Sequence, residues 1–343
     1  MDQVCADIQC GDRCLAEVLR QFGLGKVLAV REVTEGLMNR NWAVRAGSGQ
    51  RVFVKQVLDV DRAQAARQHA ATCALAALDL PVAAPLAMAD GQTILDLDGA
   101  LYAVYPWVLG EHVRGTAMTP AQAVSLGSTL ARIHEGLASV MDLADQAMRM
   151  PVTDPATAIA STERYAEIIA GKGDRDDFDE YAARQLARRR ALLETAGQHI
   201  PGPDAWWEPA GWAHGDFHDL NVLWHDGAIT AVVDFDRLGP KPYAYELVRS
   251  ATLTFCHGDD RGLDTGLAAA FTAGYRAVIT LADDQIEFAV TRMWWERACD
   301  FWQLKRHYLN SDNSCDHLFR SASALLWWWT GHRDQVTRCL TSR

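Results

Sequence analysis

Between Trp212 and Arg237 the chain reads WAHGDFHDLNVLWHDGAITAVVDFDR, a dense set of acids and amides. Asp216 and Asn221 fall in a polar loop, Asn221 to Trp224 reads as a short strand, and His225-Asp226-Gly227 as a turn, with Asp-Gly a strong hairpin signal. Ile229 to Val233 reads as a second, apolar strand that ends on Asp234-Phe235-Asp236. A hairpin of this kind folds the chain back and brings Asp234 towards the Asp216–Asn221 loop. Carboxylates and an amide oxygen gathered in this way suit a hard cation such as Mg²⁺, which takes oxygen ligands. They also suit phosphoryl transfer, which needs one Asp to hold and deprotonate an attacking hydroxyl, and an Asn and a further Asp to hold metal.

His214-Gly215-Asp216, then Asn221, then Asp234-Phe235-Asp236 resembles the signature of the aminoglycoside phosphotransferase and choline kinase-like family, small-molecule kinases with a protein-kinase-like fold. The resemblance implies Asp216 as catalytic base, Asn221 and Asp234 as Mg²⁺ ligands, and His214 as a residue that orients the loop. Two other readings stay open at this point. The acids could form a solvated surface turn. Alternatively, His214, Asp216 and His218 could be an H-x-D-x-H cluster of a metal-dependent hydrolase, all on one strand face and selecting a transition metal. The hydrolase reading leaves Lys55, Asn221 and Asp234 without a role. His218 and His225 otherwise read as ordinary loop residues.

The elements upstream must position a phosphate donor. Val27 to Val33 and Trp42 to Arg45 read as strands around a polar turn, Thr34 to Asn41. Such a turn can lay backbone N–H groups over phosphates, and a plain hairpin turn is the alternative. Gly36, Asn39 and Asn41 are similar to the nucleotide loop of the homoserine kinase branch of the family, which makes them candidate ATP contacts. Arg51 to Val57 alternates as a strand does and carries Lys55 among apolar neighbours. Burying a lysine is costly unless it is paired, and a kinase uses a third-strand lysine to grip the α- and β-phosphates. Asp61 to Leu78 is an alanine-rich helix. In the family this helix carries a glutamate that pairs with the strand lysine; here Gln68 and His69 stand near that place and Asp61 is the only acid. The partner of Lys55 is therefore open, and so is a nucleotide-binding regulatory protein without turnover. Thr93 to Leu97 and Ala100 to Tyr105 form a hairpin around Asp98-Gly99. The resemblance makes the following residues a hinge, with backbone groups of Tyr105 and Trp107 facing adenine.

Downstream, Thr119-Pro120 is a helix start, threonine as N-cap and proline in the first turn. The helix it opens carries His134, read as structural. Pro155 to Ala170 and Phe178 to Leu193 are helical, with a loop between them. Gly239-Pro240 breaks the chain, and Tyr245 to Arg249 starts a helix where the family uses an acid to tie the metal loop down. Ala268 to Ile279 and Asp284 to His307 read as helices. Trp294, Trp295, Trp302 and Trp327 to Trp329, at helical spacing, read as core. The functional alternative is a pocket of tryptophan faces and carboxylates (Asp259, Asp260, Asp283, Glu296, Asp300) for a cationic amine.

The chain has 343 residues, 49% of them hydrophobic, which is enough for about two domains. Asp and Glu outnumber Lys and Arg by 44 to 33, a net charge of -11. This argues against nucleic-acid or anionic-membrane partners and permits a cationic substrate. The first residues lack a basic segment and an apolar run, and the longest apolar stretches are too short to span a bilayer, so a cytoplasmic location is expected. Cys5, Cys10 and Cys14 do not follow a zinc spacing, and the cysteines are expected as reduced thiols. The expected fold is α+β, a two-lobed protein-kinase-like fold. Residues 1–106 would form an N-lobe of antiparallel sheet plus helix that binds nucleotide. Residues 107–343 would form a mainly helical C-lobe with the catalytic loop, metal site and substrate pocket. The expected chemistry uses ATP and Mg²⁺ to phosphorylate a hydroxyl of a small, amine-bearing molecule, aminoglycoside-like or another cationic antibiotic. Homoserine is the rival acceptor, and the chain is expected to act as a monomer or homodimer.

Overall fold

The computed structural model describes residues 14–34, 39–143, 150–196 and 208–342. Helix α1 (14–21) leads into β1 (Val27–Val33), β2 (Arg40–Ala46) and β3 (Arg51–Val57). Helix α2 (Arg62–Ala77) follows, then β4 (Leu95–Leu97) and β5 (Ala100–Pro106). The strands form one antiparallel sheet in the order β1-β2-β3-β5-β4. Alternation decides which face each side chain takes. Val52 and Val54 of β3 pack with Val44, Ala46 and Val104 beneath Leu15, Val18 and Leu19 of α1. Phe53, Lys55 and Val57 take the opposite face, where Lys55 stands directly across from Asn41 of β2 and Ala103 of β5. Asp61 caps α2 by accepting the Gln64 amide at 2.8 Å.

The C-terminal part is mainly helical: α3 (Pro120–Val140), α4 (Pro155–Ala170), α5 (Asp177–Ala196), then α6 (Tyr243–Thr254), α7 (Thr265–Arg276), α8 (Asp283–Cys299), α9 (Trp302–Asn310), α10 (Asp316–Gly331) and α11 (Arg333–Thr341). Thr119 and Gln122 form a complete capping box before Pro120, as the sequence indicates. Helices α3 and α7 cross closely, because a Cβ on Gly127 would stand 1.9 Å from the Phe271 carbonyl oxygen. Trp294, Trp295 and Trp329 are almost wholly buried in the core shared by α3, α6, α7, α8 and α10, so these rings form no aromatic cage for an amine. The expectation of one helix from Asp284 to His307 is corrected. The helix stops at Cys299 and restarts at Trp302, because Asp300 is extended and the carbonyls of Arg297 and Asp300 turn to buried Arg189, at 3.1 and 2.7 Å. Among the described residues no helix is long and apolar enough to cross a membrane.

Two small ribbons lie between the sheet and the helices. Strands β7 (Val222–His225) and β8 (Ala228–Val232) form the hairpin read from the sequence, turning through Asp226 and Gly227 at φ 49° and 78°. Strand β6 (Ala210–Ala213) pairs with β9 (Gly239–Pro242), which places the chain before Asp216 beside the chain after Asp236. Two segments grip the hairpin, the one between α2 and β4 and the one that joins sheet to helices. Val232 donates to Pro81 O at 2.7 Å, and Glu111 and Trp224 exchange both backbone bonds at 2.9 Å.

Candidate active site

The ribbons bring the residues of the signature together. Val233 donates its amide to Asn221 O at 2.9 Å, which closes the hairpin and sets Asn221 beside Asp234. His214 is fully buried and spends both ring nitrogens: Nε2 donates to Val233 O at 3.0 Å and Nδ1 accepts the Asp216 amide at 3.2 Å. Burial pushes its pKa down, in keeping with this neutral tautomer. His214 thus orients the loop, as the resemblance implies. With both nitrogens taken it offers no lone pair to a metal, and the H-x-D-x-H hydrolase reading is removed.

Gly215 accepts no side chain. Its φ is +84°, and a Cβ there would stand 2.1 Å from Arg237 O. Its amide donates to Glu246 Oε1 of α6 at 2.5 Å, and Glu246 Oε2 meets His134 Nε2 of α3 at 2.9 Å. His134 Nδ1 in turn meets the Tyr275 hydroxyl of α7 at 2.8 Å. Glu246 and His134 are both fully buried. One carboxylate therefore anchors the loop to three helices, and His134 is structural.

Asp216 stands between two cations. Arg249 of α6 donates to its Oδ1 at 2.6 Å, and His218 Nε2 lies 3.7 Å from its Oδ2. Burial works against ionisation, but His218 and Arg249 prevail and hold the carboxyl well below the usual range. Burial also works against charge on His218, yet Asp216 and Asp219 hold its pKa up at about 9. Asn221 donates Nδ2 to Asp216 O at 2.8 Å, which leaves its Oδ1 uncommitted among the described residues.

Asp234 sits in the left-handed region at φ 65°, ψ 61°. Such a conformation costs about 1–3 kcal/mol in a residue other than glycine, and it concentrates at functional sites. Its side chain is 44% exposed, facing the open space between sheet and helices, and Oδ1 accepts from Lys55 Nζ at 3.0 Å. Asp236 accepts from the same Nζ with both oxygens, at 3.0 Å each. Lys55 overcomes burial and holds Asp234 low, whereas burial and the neighbouring Asp234 push Asp236 up. The open question of the lysine's partner is answered here, and Asp61 takes no part beyond its cap.

The remaining nucleotide candidates are placed as follows. Asn39 donates to Asp236 Oδ2 at 2.6 Å and accepts the Leu58 amide at 2.9 Å. Asn41 is buried next to Lys55, and its Oδ1 has no partner among the described residues. Gly36 lies outside the described residues. The Tyr105 hydroxyl is spent on His69 Nε2 at 3.0 Å, and Trp107 gives its amide to Arg51 O at 3.2 Å and its ring to the Arg51 guanidinium at 4.0 Å.

Sequence reasoning missed a cationic wall beside Asp216. Arg297 of α8 donates to Thr252 Oγ1 at 3.0 Å, one turn beyond Arg249 on α6. Burial lowers its pKa, Cys256 beside it raises it and Arg249 lowers it further. Arg297 Nε and Arg249 Nη1 are both buried without an acceptor among the described residues. Three of the five acids proposed for an amine pocket have protein partners. Glu296 accepts from the Tyr245 hydroxyl at 2.6 Å, Asp259 from Arg261, and Asp283 pairs with Arg276. The signal available was the arginine three residues after Glu246, which one helical turn sets on the face of the loop it anchors.

Asn221 Oδ1 and the Asp234 carboxylate are oxygen donors, the donor chemistry that a hard divalent cation takes, although among the described residues no three acids, histidines or cysteines cluster as a metal site. Residues 29–280 match the phosphotransferase enzyme family. A homoserine kinase of Acidiphilium cryptum is 26% identical over 279 residues, 80% of this chain and 80% of that protein. A second, of Granulibacter bethesdensis, is 25% identical over 82% of this chain and 86% of its own. Among solved structures, a spectinomycin phosphotransferase in complex with ADP and spectinomycin has a TM-score of 0.65 at 14% identity, covering 91% of this chain and 93% of that one. An aminoglycoside phosphotransferase of Alicyclobacillus acidocaldarius has a TM-score of 0.60 at 16% identity, covering 94% of each. The shared architecture is the protein-kinase-like fold of an antiparallel sheet joined to a helical part.

Proposed function

The chain belongs to the phosphotransferase enzyme family, and we propose that it moves the γ-phosphoryl group of ATP to the side-chain hydroxyl of a small amino acid of the homoserine type. Asp216, held ionised by Arg249 and His218, would receive the hydrogen bond of the acceptor hydroxyl and take its proton as transfer proceeds. Asn221 Oδ1 and Asp234 would hold Mg²⁺. Bound there, Mg²⁺-ATP supplies the phosphoryl group and neutralises its charge, so that catalysis is mainly positioning and electrostatic stabilisation. Lys55 would hold phosphate oxygens, and the chain end at Tyr105–Trp107 would face adenine. The helix glutamate is missing, but Lys55 is paired to carboxylates all the same. This takes away the motive for a binder without turnover.

The choice of acceptor rests on one observation: Arg249, which pairs with Asp216, and Arg297 near it each have a buried N–H that lacks an acceptor among the described residues. Arg249 already pairs with Asp216, yet each guanidinium keeps one N–H for a further acceptor, which a substrate carboxylate would supply. An aminoglycoside brings further positive charge to this wall. The homoserine kinases among the relatives point the same way. A second reading, an amine-bearing antibiotic, is favoured by the fold neighbours and by Glu296 and Asp300 lying close to the same arginines. ADP release with Mg²⁺-ATP and either L-homoserine, spectinomycin or choline, with the phosphorylated product identified by mass, decides between them. Turnover of homoserine alone supports the proposal. Turnover of an aminoglycoside with homoserine silent refutes the acceptor assignment.

A further inference from the structure

Asp236 follows the metal loop and has no assigned part in the reaction, yet it has more long-range partners than any other carboxylate of the site. Both its oxygens receive Lys55 of β3, 181 residues away. Oδ2 also receives Asn39, which opens β2, at 2.6 Å. Its backbone carbonyl receives Gln68 Nε2 of α2 at 2.8 Å. Its side chain takes Lys55 in a pair whose members are only 10% and 16% exposed. Helix α2 reaches the site through Gln68, at the place where the resemblance puts an acid that pairs with the strand lysine. Gln68 cannot carry charge, and it spends its amide on the Asp236 backbone, not on Lys55. His69, next to it, is turned away to Thr93 and Tyr105, at 2.8 and 3.0 Å.

We infer that Asp236 is the positioning residue for Lys55, a carboxylate supplied by the loop after β8 in place of one on the helix, with Gln68 and Asn39 fixing that loop. The inference rests on the kinase reading for its catalytic meaning and on geometry for the pairing itself. It has a structural consequence. The lysine is set by the same turn that carries Asp234, so phosphate grip and metal site are assembled by one loop.

Residue-resolved acylation of Lys55 by an N-hydroxysuccinimide ester, in the absence of nucleotide, tests the pairing. Asp236→Asn is expected to raise the acylation rate of Lys55 about tenfold, the loss of one charge-assisted contact. Asp236→Glu is expected to restore shielding, and Asp61→Asn to leave the rate at that of the wild type. In steady state Asp236→Asn should raise KM for ATP about tenfold while leaving the Mg²⁺ concentration for half-activation unchanged. Lys55 acylation that does not change in folded Asp236→Asn overturns the inference, and so does an Asp61→Asn variant that exposes Lys55 equally. A large shift in Mg²⁺ requirement would instead make Asp236 a metal ligand and overturn the positioning role. If Asp236→Asn does not fold, Asn39→Ala removes one anchor of the carboxylate, and a rate equal to the wild type then refutes the arrangement. A wild-type protein that shields Lys55 but binds no nucleotide refutes the kinase reading alone.

Discussion

Replacing Glu246 by alanine should cost the fold about 3–5 kcal/mol and take most of the activity with it. The side chain is fully buried and accepts the Gly215 amide and His134 Nε2 at 2.5 and 2.9 Å. Removing it strands one buried amide and one buried ring nitrogen, at about 1–3 kcal/mol each, and opens a small cavity. The total is a large part of the ~5–15 kcal/mol that holds an ordinary protein folded. Gly215 precedes Asp216, so an amide freed from Glu246 also loosens the carboxylate that meets the substrate. Glu246→Gln keeps the shape and one acceptor, and about 1–2 kcal/mol is expected for the lost charge. Urea unfolding followed by tryptophan fluorescence measures both variants, and ADP release measures activity on the folded fraction. A Glu246→Ala protein within 1 kcal/mol of wild type and fully active would refute the view that this carboxylate holds the loop.

Three further outcomes follow from the same geometry. Asp234→Ala should weaken Mg²⁺-nucleotide binding in calorimetry and leave nucleotide binding without metal nearly unchanged; unaltered affinity with metal counts against Asp234 as ligand. Gly215→Ala should fail to accumulate as folded protein, because its Cβ meets the Arg237 carbonyl oxygen and φ is +84°; a folded, active variant contradicts the described turn. His69 is buried and burial pushes its pKa down from 6.5 to about 4, so the unfolded chain takes up its proton first. Stability should therefore fall as pH drops from 6.5 to 4, by at most about 3 kcal/mol, and His69→Gln should flatten that limb of the urea midpoint against pH.

Much of this was legible in the sequence where local rules govern. The strands Val27–Val33 and Arg51–Val57 have the bounds read from the sequence, although β1 buries no residue fully and β3 buries residues on both faces. Asp-Gly at 226–227 and Thr-Pro at 119–120 set a turn and a helix start through backbone conformation alone. The signature residues were legible because fixed offsets along one hairpin fix their places in space. What escaped was set by long-range pairing. Lys55 meets Asp236 across 181 residues and Arg189 meets the Asp300 carbonyl across 111, and no local pattern signals either pairing. The sequence carries no local signal for the partners of Arg249 and Arg297, which meet Asp216 and Thr252. The tryptophans read as core with a cage as the alternative, and burial decides for core at Trp294, Trp295 and Trp329, whereas Trp302 is 39% exposed.

The most direct test of the account compares wild type and Asp216→Asn for Mg²⁺-dependent transfer of labelled γ-phosphate from ATP to L-homoserine, with nucleotide affinity measured on the same samples. The account expects wild type to form phosphohomoserine, and Asp216→Asn to lose a factor of about 10²–10⁴ in turnover while binding nucleotide as tightly. Transfer by Asp216→Asn at the rate of wild type would contradict it.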